Sequence, residues 1–290
     1  MLKSARVMHM IKQSKKYTGV LFLFISQLLF VVNFNFVNFL NDFFSVPQLI
    51  FCRSIIAPVI ILPILLSKKL TVNFRRPGML LVRSVAGLGA MTCLYFAFKY
   101  GEMGQSMLLF HCSFAWVFII SCLFLNEKPH LWTFSSIPLL IIGLIFTLYP
   151  FSTEFSLGSC FAIIASFLVV FVILSIKSLG KTHDSFSIVL FFLIFSSVVM
   201  FFPANISASL FDSKFLALLI CIGAITFIAQ LFLTAGIKLT LASVGSTIGL
   251  SQIPMMYISG YLFFGQTLTV INGVGVTCVL IGLFIMSIYQ

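Results

Sequence analysis

Arg53, His111, Gln230 and Gln252 are strongly polar side chains that stand inside long apolar runs. Such groups are costly in apolar surroundings, so each is a candidate for function. Arg53 offers a planar fork that suits a carboxylate or a phosphate. Its structural alternative is an arginine that bonds helix ends or reaches an interface. His111, with Ser113 and Trp116 close by, is a candidate proton carrier or substrate contact. Its alternative is a neutral imidazole bonded to a neighbouring helix. Trp116 lies away from the interface that lipid-facing Trp prefers, which fits either a cavity wall or general packing. Gln252, Pro254 and Tyr257 form the best local site. Pro254 removes a backbone donor and frees a carbonyl near Leu250 or Ser251, a break tolerated where it lines a cavity. Asn35 shares a helix face with Asn38 but lies about 200° from Asn33. That face is either interhelical glue or part of a site. Arg83, placed one turn from a membrane surface, is expected to extend its head to the lipid headgroups.

No acid stands in the middle of an apolar run. Without a buried carboxylate, a zwitterionic, anionic or neutral substrate is easier to hold than a polyvalent cation. Motifs for zinc proteases, phosphate loops and serine hydrolases are missing. No catalytic residue, cofactor or metal ligand is assigned. The seven cysteines all fall within apolar runs without a paired spacing and are read as small packing residues.

The elements that would carry these groups follow from composition. Of 290 residues, 61% are hydrophobic and only 8% charged, against about 25% charged in soluble domains. A water-facing globule of this size is excluded. Ten runs approach the roughly 20 residues that cross a bilayer: 19–40, 46–66, 79–98, 104–125, 131–149, 157–176, 185–203, 214–236, 243–264 and 269–288. They are apolar on every face, which selects helices over the alternating strands of a barrel. The net charge of +11 tracks the loops, which argues against a nucleic-acid partner. The N-terminal basic cluster, Lys68, Lys69, Arg75, Arg76, Lys128, Lys177, Lys181 and Lys238 all fall on one side of a ten-span thread; only Lys99 and Lys214 fall on the other. The positive-inside rule then puts both termini in the cytoplasm of a multi-pass inner-membrane protein. Its first span, 19–40, reads as a retained signal anchor.

The chain repeats itself at an offset of 139 residues (238 − 99): Lys99 meets Lys238, Phe124 meets Phe263, Gly143 meets Gly282 and Glu127 meets Gln266. Five spans per half insert the halves in opposite senses, an inverted repeat of the kind on which many carriers rock. The expected organisation is all-α: a basic N-terminus over 1–18, a five-helix half over 19–150 and another over 151–290.

Arg53, Arg83-Ser84, Gly87, Tyr95-Phe96-Ala97, Phe124-Leu125-Asn126-Glu127, Gly143, Gln230, Ala235, Pro254 and Gly282 stand in an order and spacing that resembles the EamA-type branch of the drug/metabolite transporter superfamily. The resemblance covers nearly the whole chain. One departure is Gln266, where the family usually has Glu. The resemblance implies a secondary transporter, not an enzyme, that moves a small polar metabolite by alternating access. Amino-acid-like and nucleoside- or S-adenosylmethionine-like substrates are the candidates, with a coupling proton or counter-substrate as a further partner. It adds Tyr95 to the candidate substrate contacts. The alternatives are a drug or metabolite efflux carrier of the same fold and, from another class, a membrane-embedded enzyme acting on lipid-linked substrates. The latter would need polar catalytic groups clustered at one membrane surface.

Overall fold

In lipid, a backbone group without an internal partner is costly, so an apolar run folds into a helix that closes its own hydrogen bonds. The computed structural model describes residues 2–66, 72–101, 103–124, 131–147, 149, 156–205, 213–264 and 269–288; side chains are described over somewhat fewer of these. Among them are twelve α-helices in chain order: α1 Leu2–Leu40, α2 Val46–Leu66, α3 Pro77–Tyr100, α4 Met103–His111, α5 Ser113–Phe124, α6 Leu131–Thr147, α7 Leu157–Leu179, α8 Ser185–Phe201, α9 Ser213–Leu239, α10 Ala242–Ile248, α11 Gln252–Phe264 and α12 Val270–Ile288. Stretches within α1, α3, α4–α5, α7 and α9 are each long and apolar enough to cross a bilayer, and parts of α2, α6, α8 and α12 are shorter apolar helices. Large apolar side chains such as Leu28, Val59, Val198 and Phe284 are more than half exposed on the outside, while Ser26, Asn33, Ser84 and Ser196 are buried inside. That inversion is the surface a bilayer solvates.

Helix ends carry their sequence signals. Pro77 opens α3, where its missing N–H costs nothing. Ser156 caps α7 by accepting from the Ser159 amide at 3.2 Å, and Asp184 caps α8 by accepting from the Ser187 amide at 2.9 Å. Lys177 donates to the carbonyls of Thr240 and Ile237 at the end of α9, and Lys238 donates to the His183 carbonyl at 2.8 Å. Both lysines expected in loops are thus held on carbonyls at one end of the bundle, where helix C-termini favour positive charge.

The fourth and ninth spans are broken. α4 and α5 meet at Cys112, whose N–H donates to Leu109 three residues back at 3.2 Å. α10 and α11 are joined by a 3-10 turn, Gly249–Ser251. Pro254 explains the second break, because it cannot supply the N–H that the Leu250 carbonyl would accept. The two breaks are repeat-equivalent, since Cys112 and Ser251 differ by 139 (251 − 112).

Helix packing has the same symmetry. α1 packs along α9 and α3 along α7, while α2 faces α8 and α6 faces α12. Each first-half helix leans on the second half, so the halves interlock. At α1–α9 a side chain on Gly19 would meet Thr240 at 2.8 Å and the Gly236 carbonyl at 3.4 Å. At α3–α7 a side chain on Gly158 would meet Gly101 at 2.6 Å and the Ala97 carbonyl at 2.8 Å. Those are the same contacts shifted by the repeat (158 − 19, 240 − 101 and 236 − 97 all equal 139). The α6–α12 crossing maps onto itself: Gly143 abuts Val279 and Gly282 abuts Leu140. Small residues let helices approach where lipid gives no hydrophobic drive to associate.

Candidate functional site

Along α3, Arg83, Gly87, Met91 and Tyr95 recur every four residues and form one ridge of the helix surface. This ridge organises the interior. Arg83 is 1% exposed, and its Nη2 donates to Gln230 Oε1 on α9 at 2.9 Å. Its guanidinium lies 4.1 Å from the centre of the Phe192 ring and crosses Gly87, where a side-chain carbon would fall 2.4 Å from Nη1. The arginine's end thus fills the space that a side chain at Gly87 would take. Arg83 therefore points into the protein instead of reaching the headgroups, contrary to the sequence expectation. Its Nε and Nη1 have no hydrogen-bond partner.

Arg53, also 1% exposed, reaches the same ridge from α2. Its Nη1 donates to the Tyr95 hydroxyl at 2.6 Å and lies 3.6 Å from Met91 Sδ. The Tyr95 hydroxyl in turn donates to Asn33 Oδ1 at 3.4 Å. Asn33 Nδ2 donates to Thr226 Oγ1 at 2.9 Å and to the Ile222 carbonyl at 3.2 Å. One polar chain thus fastens α1, α2, α3 and α9.

Between the halves lies an open cavity of about 100 Å³. Arg83, Gln230, His111, Gln252, Gln27 and Ser246 supply its polar lining. The apolar wall includes Phe30, Phe34, Met91, Phe110 and Phe192. The lining straddles the repeat axis. Phe30 and Val169, Phe34 and Ile173, Met91 and Gln230, Phe110 and Gly249, and Ser113 and Gln252 are pairs separated by 139 residues, and both members of each pair line it. The polarity breaks that symmetry: Gln230 faces in where its mate is Met91, and His111 is matched by Leu250. Both broken spans end at this wall, which brings His111, Ser113, Gly249 and Gln252 together. His111 Nε2 and Gln252 Nε2 are buried without a partner.

The structure thus gathers His111, Gln230 and Gln252 of the sequence candidates at one cavity. Arg53 and Tyr95 stand just behind its wall at Met91. The remainder lie elsewhere. Trp116 is 47% exposed on the outer face. Asn35 donates to Ser259 Oγ at 2.9 Å in a separate apolar groove against Leu28 and Leu262. The Tyr257 hydroxyl accepts from the Thr269 amide at 3.3 Å where α11 passes to α12. Pro254 is buried beside the 3-10 turn. Sequence reasoning missed Arg83, Gln27 and Ser246 as cavity groups. The four-residue spacing from Arg83 to Gly87 is the signal that could have found the first. Gln266 and Glu127 lie outside the described residues.

A family model for EamA-like transporters matches residues 17–149 and matches again at 156–288. The chain belongs to the EamA-like transporter family. The two matches are themselves offset by 139 residues (156 − 17), as are the helix breaks and the glycine contacts. Two relatives of this EamA protein are named pseudopaline exporter CntI, from Pseudomonas aeruginosa strains UCBPP-PA14 and PAO1. Each is 27% identical over 239 residues, covering 78% of this chain and 82% of the relative. The fold is also that of a crystal structure that aligns with a TM-score of 0.75 at 9% identity, covering 94% of this chain and 95% of the other. As an EamA-like protein the chain is a multi-pass membrane transporter of ten helices in two repeats.

Proposed function

We propose that the chain is a secondary carrier of the inner membrane that moves a small polar metabolite through the central cavity by alternating access. The observation that carries this reading is the cavity lining: repeat-equivalent residues of both halves face one space, and both broken spans border it. A site on the axis of an inverted repeat stays fixed while one half rocks against the other. Helices broken at that depth are tolerated because they line the cavity, and they supply hinges. His111, Gln230, Gln252 and Arg83 hold the substrate. Arg53 and Tyr95 brace the wall. The two five-helix halves are 19–150 and 151–290, and both termini are cytoplasmic, in keeping with the basic loops.

Likeness to pseudopaline exporters favours export as the direction and makes pseudopaline release from loaded cells the first transport assay. A test that needs no substrate uses Ser246→Cys in a background without native cysteines, labelled from either side of the membrane. Alternating access predicts that the cavity thiol reacts from both sides. Reaction from one side alone, under all conditions tried, would rule the mechanism out.

A further inference from the structure

We infer that the transported molecule is an anion with two acidic groups, and that it is the counter-charge for Arg83 and Arg53. The inference rests on the cavity being the substrate site. Both guanidinium groups are buried, and both lie on the α3 ridge. Arg83 folds across Gly87, and Arg53 meets Met91 and Tyr95 one to two turns further along. The Cα atoms of Arg83 and Met91 are about 12 Å apart along the helix, and the fold of Arg83 over Gly87 narrows the gap between the charges. They repel each other.

Among the described residues the only acids are Asp42 and Asp184, both exposed. The groups that do touch the arginines are neutral: Gln230, Tyr95, Met91 and the Phe192 ring. Their dipoles orient the guanidiniums without cancelling the charge. An ion buried without compensation is strongly unfavourable, and two of like sign are worse. Arg83 Nε and Nη1 and Arg53 Nε remain buried without acceptors. Arginine cannot shed its proton to escape the penalty. A bound dianion offsets both charges and supplies the acceptor that Arg83 lacks. One acidic group takes the free edge of Arg83 beside Gln230, and the second lies toward Met91, in the field of Arg53. His111 and Gln252, which also line the cavity, are then left for the neutral part of the molecule.

The test measures melting temperature of the purified protein at fixed ionic strength, with succinate, sulfate and the neutral analogue succinamide as probes. Succinate and sulfate are expected to raise the melting temperature, and succinamide to leave it unchanged. Arg83→Gln without any ligand is expected to melt about 2–4 °C above wild type and to lose the response to both dianions. Gln230→Glu places a carboxylate against Arg83 and is expected to do the same by supplying the charge internally. A wild type indifferent to both dianions overturns the proposal. So does an Arg83→Gln or Gln230→Glu protein that melts lower and still responds to them. The Ser246→Cys labelling separates this from the carrier reading. A thiol reached from both sides with no dianion response sinks only the charge assignment, whereas a thiol reached from one side with a full response sinks only the mechanism.

Discussion

Arg83 on α3 and Gln230 on α9 are joined by a hydrogen bond of 2.9 Å that spans the two repeats. The bond holds Nη2, while Nε and Nη1 are buried without an acceptor. Hydrogen bonds to charged groups are worth about 1.5–3 kcal/mol, so losing either partner is expected to lower transport about tenfold or more. Because the residues act as one unit, Arg83→Gln combined with Gln230→Ala is expected to be no slower than the worse single variant. Initial transport rates in proteoliposomes, arranged as a double-mutant cycle, check this. Additive losses would mean the pair is not coupled.

His111→Ala and Gln252→Ala each remove a cavity group with an unpartnered nitrogen. Both are expected to slow transport severalfold while expression and membrane insertion stay normal. Trp116 faces outward, so Trp116→Phe is expected to transport at the wild-type rate. The comparison is made at matched protein amounts in the membrane. Slow transport by the Trp116 variant, with normal rates for the other two, would move the site away from this cavity.

The α6–α12 crossing is expected to tolerate no added carbon. At Gly275 a side chain would fall 2.2 Å from the Thr147 backbone nitrogen, and at Gly143 2.8 Å from the Val279 nitrogen. Overpacking of this kind costs about 1–3 kcal/mol, a drop of several degrees in melting temperature for Gly275→Ala. Gly249 has open space around the same position, so Gly249→Ala is expected to melt as wild type. Equal melting of the two variants would show that the helices do not meet as closely as the structure has them.

Asp184 ties acid stability to the start of α8. Partial burial pushes its carboxyl up, but bonds from the Ser187 hydroxyl and amide and the charge of Lys238 outweigh this and hold it below the usual 3.8. A depressed carboxyl contributes stability above its unfolded value, and that contribution is lost as pH falls through the folded value. The melting temperature is therefore expected to drop as pH falls below about 4. Asp184→Asn, which keeps a capping oxygen, is expected to flatten the acid-side drop. Asp184→Ala is expected to lose about 0.5–2 kcal/mol at neutral pH. An unaltered acid profile in Asp184→Asn would remove the carboxyl from the explanation.

Much of the fold was legible because lipid leaves few choices. Runs of about 20 apolar residues become spans, and the Lys99–Lys238 and Gly143–Gly282 matches already stated the repeat. The break in the ninth span was announced by Pro254. Its counterpart at Cys112 had no proline or glycine of its own and could be read only by carrying Ser251 back through the offset. The site was harder. Burial depth misled for Arg83, because distance from a membrane surface says nothing about which way a side chain turns. What turned it inward was the space left by Gly87 and the ring of Phe192. Trp116 misled in the opposite direction: hydropathy places it along the normal to the membrane but cannot say which face of the helix it occupies.

The paired contacts Gly19–Thr240 and Gly158–Gly101 bear on ancestry. Each sets a glycine of one helix, α1 or α7, against the close of another, α9 or α3, and exchanging the halves turns one contact into the other. A polypeptide of half this length, able to insert either way up, could make all of them with a second copy of itself. Fusion of two such genes would preserve the geometry and free each copy to diverge, which is how a symmetric shell comes to hold an asymmetric set of polar groups.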